Sequence, residues 1–357
     1  MALQDVRIWG SVPQIFKTEG GNTFLSEAWG QYQFSDQWSL KAGRQIISYD
    51  NQRFLGGLEW AQQGRRHDAV LFKYENPVNK SKFHIGLAFN NDNDVAEPAF
   101  IQAPGANFYS VGGNYKSLQY GWYNKKFSGG GLSVLVLNAG LQNQDSTVSY
   151  KQTYGLIGSK KVGGVKLGGD FYYQGGSLGG NTVNAFLVGA YAGFTAGNTP
   201  ITIGAEYISG KDDDDATTDV TNFSPDFGTN HAHNGFMDYF FVGPANGNVG
   251  VTDLYLKSSF KVGKGSLKVH LHEFLTGSTQ LDQEGNQLSS AMGTEVDFVY
   301  GMKLTESVSL AVGYSHMFAT DTMLALRPGD QKSNNWSFLM ITFKPAPVKL
   351  GVTPVVN

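Results

Sequence analysis

Four arginines crowd one stretch of the chain, at Arg44, Arg53, Arg65 and Arg66, with Asp68 just beyond them. A guanidinium pairs bidentately with carboxylates, so such a cluster can form a basic constriction for acidic solutes. The same residues can equally act as a charged ladder that braces a folded loop against a wall, and both readings stand at this point. His231, His233 and Asp238 sit together in a long polar segment. A His-X-His pair can bind zinc, but it needs further ligands in closed geometry, so the reading is a loop that folds into or caps a channel. His270 and His272 share one face of a short alternating stretch and read as polar wall residues. Asp212–Asp215 lacks the glycine turn and spaced oxygen ligands of a calcium loop and reads as a solvated loop. Ser315-His316 and the other scattered Ser, His and Asp residues have no nucleophile motif around them. The expectation is therefore no enzyme, no cofactor and no metal.

These side chains are carried on long stretches of strict alternation. Leu254, Leu256, Phe260 and Val262 fall on one face, and Tyr255, Lys257, Ser259 and Lys261 on the other. Val296, Phe298, Tyr300, Met302 and Leu304 likewise oppose Glu295, Asp297, Gly301 and Lys303. A period of two is the strand period, and no window of comparable length shows a capped helical stripe. The strands run about 9–14 residues, near the ~9–11 that a tilted strand needs to cross a bilayer and beyond the ~5–6 of globular strands. Short turns alternate with long connections. Reading Asn114–Phe127 as one strand keeps that alternation strict and gives sixteen strands, from about Leu3–Phe16 to Asn335–Phe343.

An even antiparallel count with alternating long and short loops predicts an all-β fold, a closed antiparallel transmembrane β-barrel in the bacterial outer membrane. In lipid an open sheet would leave its edge N–H and C=O groups without partners, and closure supplies them. The barrel is expected over 1–343. Its long extracellular loops fall near 50–66, 90–113, 210–250, 277–292 and 319–334, and 344–357 forms a periplasmic tail. Alternation then turns Arg7, Lys73, Lys257, Lys261, Glu295 and Asp297 toward the lumen, whereas parity leaves the direction of Arg44 open. Both charge signs line the interior, which favours cross-barrel ion pairs over a sharp anion filter.

Composition agrees. Glycine contributes 46 of 357 residues, net charge is only −3 and charged residues total 16%, with no cysteine at all. Disulfides and thiolate metal sites are thereby excluded, and the mildly acidic balance argues against a nucleic-acid partner. No apolar run approaches the length of a transmembrane helix. The N-terminus shows neither a basic n-region nor an apolar h-region, so a secretion signal is expected to have been removed or never present.

Gly43-Arg44-Gln45 is followed by Tyr49, Arg53, Gly56, Trp60, Gln63-Gly64-Arg65 and Asp68-Ala69-Val70. Downstream come Phe223-Ser224-Pro225, His231 to His233, and Gly235 to Phe240, then Gly293 to Asp297 and Ser309 to His316. Together these blocks resemble the alginate export family of outer-membrane barrels. The resemblance implies an 18-stranded barrel, two more than counted here, with an N-terminal hairpin missing from this chain, and an anionic polysaccharide as cargo. Only six arginines are present and five lie at or before Arg66, so no arginine-lined path is evident. The expected partners are outer-membrane lipid and lipopolysaccharide, together with a hydrophilic solute, an acidic saccharide on the family resemblance. The competing expectation is a plugged barrel that docks envelope proteins.

Overall fold

The computed structural model describes residues 1–6, 23–60, 64–90, 115–143, 147–240, 249–327 and 334–345. The strands are β1 (Ala2–Asp5), β2 (Thr23–Gln33), β3 (Trp38–Gln45), β4 (His67–Asn76), β5 (Ser81–Phe89), β6 (Ser117–Phe127), β7 (Gly130–Gln142), β8 (Val148–Val162), β9 (Val165–Leu178), β10 (Asn181–Thr182), β11 (Ala185–Ala196), β12 (Thr199–Ile208), β13 (Val251–Val262), β14 (Gly265–Leu275), β15 (Ala291–Lys303), β16 (Val308–Ala319) and β17 (Asn335–Phe343). Each wall strand pairs antiparallel with the next. The two-residue β10 only folds back on the end of β9. Without it, sixteen of the seventeen strands form the wall.

Alternation sets the two faces. Along β5, Phe83, Ile85, Leu87 and Phe89 are exposed, while His84, Gly86 and Ala88 are buried. On β13, Leu254 and Leu256 are 47% and 42% exposed, and Leu256 lies between Ile203 and Leu271, at 45% and 42%. A dissolved protein does not display a continuous belt of this kind; it is the lipid-facing surface of a barrel. Tyr32, Phe34, Trp38, Phe72 and Tyr74 pack ring on ring at the short-turn end, the arrangement of an interfacial girdle.

The inward face explains the glycine excess. Tyr120, Tyr172, Tyr191 and Tyr255 lie directly across from Gly86, Gly155, Gly168 and Gly204 on the adjacent strand. A Cβ at Gly86 or Gly204 would come within 2.1 or 2.4 Å of the facing ring. Each tyrosine can therefore lie flat along the wall, leaving room for the loops inside. The short turns are tight, with Gly163 and Gly263 in the left-handed region at φ 57° and 56°.

The curl of the sheet is visible in what its two ends touch. Arg66, in the β3–β4 loop, donates to Ser26 of β2 at 3.1 Å. Trp60 of the same loop stacks on His231 of the β12–β13 loop at 3.9 Å, and His231 meets the ring of Trp336 on β17 at 5.8 Å. The first long strand and the last therefore enclose one loop body. A short α-helix, α1 (Asp321–Leu326), interrupts the loop after β16. Thr320 caps it by accepting from Met323 N at 3.3 Å, a local signal too brief to give an amphipathic stripe. The expected first strand is described only over Ala2–Asp5; Arg7, most of the 90–113 loop and nearly all of the tail lie outside the described residues.

Replacing Leu256 with Arg should cost about 2–4 kcal/mol of barrel stability near the bilayer midplane. Unfolding by urea in lipid vesicles checks it, with Leu256→Ala as the control for lost packing.

Candidate constriction formed by two inward loops

The loop between β3 and β4 turns into the lumen and is gripped strand by strand. The Tyr49 ring stacks on Trp122 at 4.3 Å, and its hydroxyl lies 2.9 Å from His84 Nδ1 and 3.0 Å from the Tyr120 hydroxyl. Asp50 accepts from Trp122 Nε1 at 2.8 Å and from Ser133 Oγ at 2.5 Å. Burial pushes the Asp50 carboxyl above its ordinary range, and those two donors oppose the shift. Asn51 donates to Asp170 on β9 at 3.0 Å. Arg53 then reaches Glu206 on β12 and donates to Asn234 Oδ1 at 2.7 Å. Strands β5, β6, β7, β9 and β12 are thus all tied to one run of five residues.

The loop between β12 and β13 fills the rest of this cross-section. Asn234 donates to Glu206 at 2.9 Å and to Asp253 at 3.2 Å, while Met237 N donates to Glu295 Oε1 at 2.9 Å. Gly235, at φ 81°, passes so close over Glu295 that a Cβ there would meet its carboxylate at 2.4 Å. Lys151 of β8 pairs with Asp226 at 2.7 Å, and Gln174 of β9 exchanges two hydrogen bonds with Ser224. The two loops are stitched to each other by a parallel bridge between Leu55 and Phe227, by Gly56 N to Phe227 O at 2.8 Å and by Thr229 N to Gln52 O at 2.9 Å. Phe54, Phe223 and Phe227 are each only 1% exposed. At about 1.5–3 kcal/mol per buried large apolar side chain, this small core holds the loops more firmly than the polar contacts alone would.

The arginine cluster divides. Arg53 is fully buried at the meeting point of both loops. Arg65 donates to Gly228 O at 2.7 Å, and Arg66 to Glu59 at 2.8 Å and Ser26; these two brace the loop. Arg44 departs from the pore-lining expectation. It has the parity of Trp38, Leu40 and Ala42 and pairs in register with outward Asp68, to which it donates at 2.9 Å. With 40% and 53% side-chain exposure, that pair lies at the outer rim of the belt. Lys73 faces inward and meets Glu75 at 3.4 Å, beside Lys82 and His84. Lys257 lies over the Tyr255 ring at 4.8 Å, facing inward, and Lys261 is exposed near the short turn. Glu295 and Asp297 are buried on the inner face.

His231 binds Asp238 at 2.8 Å within the loop. His233 sits 3.3 Å from Asn51 O. Burial, then the neighbouring charges of Arg53 and Lys257, hold its imidazole well below the ordinary histidine range. The run Asp212–Asp215 is more than a solvated edge. Asp212 and Asp213 accept from Thr279 N at 2.6 Å and Leu281 N at 2.9 Å, joining two outer loops. Lys211 and Thr217 hold the half-buried Asp215 carboxyl down to about 2. Asp50, Asn234 and Asp253 were not singled out from sequence. Parity alone would have turned Asp253 inward with Tyr255 and Lys257, but nothing local marks Asp50 or Asn234, whose partners lie 83 and 28 residues away.

On the short-turn side of the loops lies a cavity of about 660 Å³. Asp50, Asp170, Glu206 and Asp253 line it against Lys126, Lys166 and Lys257. The lumen wall from β9 to β15 carries both signs, with Asp170, Glu206, Asp253, Glu295 and Asp297 among Lys166, Lys257, Lys261, Lys268 and Lys303, and Arg53 at its edge is paired with Glu206.

Comparison of the sequence with family models gives no match, and comparison with curated proteins gives none either. In fold, the chain is similar to three solved structures from Pseudomonas aeruginosa. OccK10 (OpdN) is 13% identical, with TM-score 0.55 over 90% of this chain and 83% of that one. The outer membrane protein OpdK is 10% identical, with TM-score 0.53 over 86% and 77%. OccK2 (OpdF), solved in complex with glucuronate, is 13% identical, with TM-score 0.51 over 82% and 74%. The fold is that of an outer-membrane β-barrel. The alginate export resemblance rests on its sequence blocks alone.

Arg53→Ala should leave Glu206 buried without its cation and weaken loop docking by about 3–5 kcal/mol, read as faster protease cleavage in the 46–66 loop of the still-folded barrel. A second expectation concerns pH. A depressed histidine pKa means the docked loop binds fewer protons than the released one, so docking weakens as pH falls below about 6.5. Cleavage should rise between pH 8 and pH 5, and His233→Asn should reduce that rise.

Proposed function

We propose that the chain is a passive outer-membrane channel for small hydrophilic solutes in a bacterial cell. The observation that carries this reading is the combination of a lipid-compatible exterior with a cavity of about 660 Å³ beneath the inward loops, into which acids and lysines project. Solute passage is by diffusion through a water-filled lumen, narrowed where Arg53, Glu206, Asn234 and Asp253 meet. The likeness to the OccK and OpdK structures supports the outer-membrane barrel fold. Cargo is a finer matter. The glucuronate in OccK2 and the alginate-family blocks both point to an acidic saccharide. Against them, four acids face three lysines around the cavity, and Arg53 is neutralised by Glu206. The charge pattern favours weak selectivity with a tilt toward cations.

A second reading keeps a specific observation on its side. Three phenylalanines at 1% exposure make the loop body a well-packed plug, which suits a closed barrel that serves as a docking subunit for other envelope proteins.

Planar-bilayer recording separates the two. A channel gives steady current whose reversal potential in a salt gradient favours cations, and Asp170→Asn shifts it toward anions. A folded, heat-modifiable barrel that stays silent supports the docking reading.

A further inference from the structure

His270 and His272 of β14 and Asp297 of β15 converge on one point of the inner wall. Asp297 lies directly opposite His270 in the ladder, and His272 is two residues along on the same face. One ligand atom from each lies within 4.8 Å of the other two. His272 and Asp297 are 0% and 1% exposed.

The Lys257 ammonium stands within electrostatic reach of this point, but the hydrogen bonds around it leave two facing atoms without a donor. His272 Nδ1 is 2.9 Å from both Asp253 oxygens, so that nitrogen carries a proton and donates it. In the uncharged tautomer that this contact selects, Nε2 presents a lone pair toward Asp297 Oδ2 at 4.0 Å. Neither atom has a hydrogen-bond partner among those assigned by distance and angle, although the Glu295 carboxyl stands within hydrogen-bonding reach of Asp297 on the same strand face. Buried acceptors turned toward one another without a donor are costly; a cation between His272 Nε2 and Asp297 Oδ2 satisfies both. The supporting contacts have the form seen around metal ligands, where a carboxylate fixes the imidazole tautomer and a hydroxyl orients the ligating acid. Asp253 does the first, and Ser315 Oγ does the second by donating to Asp297 Oδ1 at 2.5 Å.

We propose that His270, His272 and Asp297 bind a divalent transition-metal ion of the zinc class on the lumen wall. Two imidazole nitrogens and one carboxylate oxygen suit zinc, cobalt or nickel and are a poor set for calcium or magnesium. Metal–ligand bonds of about 2.0–2.2 Å require the present spacing to close slightly by side-chain rotation. Three protein ligands leave a fourth position for water or a passing solute. Phe236 of the inward loop, 5.1 Å from the His270 ring, covers the loop side. The competing occupant is a proton, which would make His272 an imidazolium held between Asp253 and Asp297. The site does not depend on whether the lumen conducts, because metal stoichiometry is read without a current.

The test uses the full chain without a polyhistidine tag, folded in detergent and stripped with chelator. Zn²⁺ is titrated calorimetrically at pH 7.5, and Co²⁺ is added as a visible-absorption probe. The expected result is one Zn²⁺ per barrel and cobalt bands of low-coordinate nitrogen and oxygen ligation. His270→Asn and Asp297→Asn, each confirmed folded by heat-modifiable migration, should weaken binding at least about tenfold, and His231→Asn should not. Absence of a stoichiometric site in the folded wild type, binding unaffected by His270→Asn, or binding lost in His231→Asn would each overturn the proposal.

Discussion

A strand in hydrocarbon must satisfy every backbone N–H and C=O from other strands, because no water is present to do so. Most features of this chain follow from that constraint. It demands an unbroken antiparallel ladder, and consecutive wall strands from β1 to β17 provide one. It makes the sheet two-sided, with one face greasy and the other free to be polar, so a chain of only slightly negative mean hydropathy can still cross a membrane. Outward Leu254 and Leu256 alternating with inward Asp253, Tyr255 and Lys257 show the division on a single strand.

What the wall encloses is a second structure with its own logic. Two loops enter from the long-loop end, bury three phenylalanines between them and fasten to the wall through paired charges and amides. The wall has been thinned to receive them, with tyrosines lying flat across facing glycines. Where loop and wall meet, the chemistry is electrostatic. Arg53 offsets Glu206, Asn234 bridges Glu206 to Asp253, and His272 holds Asp253 with one nitrogen while the other faces Asp297. This row runs from β12 to β15 where the loops meet the wall, so selectivity, loop docking and any metal affinity would all draw on the same acids.

The wall was legible in the sequence because its rules are local. Period-two alternation placed Leu256 outward and Glu295 and Asp297 inward, and turn lengths gave sixteen wall strands. Arg44 shows the limit of reading a cluster by residue type. Its strand parity joins it to Trp38 and Leu40, and its partner is outward Asp68. The constriction was only partly legible. Arg53 could be suspected, but its partners Glu206 and Asn234 are 153 and 181 residues away, a distance bridged only by the folded loops. Helix α1 and the β10 hairpin tip escaped notice because six and two residues are too few to build a periodic signal.

The absence of cysteine allows one nitroxide label at a time to be placed along β13 in lipid vesicles. Collision of each label with dissolved oxygen, which concentrates in the bilayer, and with a water-soluble nickel chelate then reports which way each position faces. A barrel with a lipid-facing outer surface gives oxygen maxima at positions 254, 256 and 260 and minima at 255, 257 and 259. Flat profiles, or oxygen maxima at 255 and 257, would contradict it.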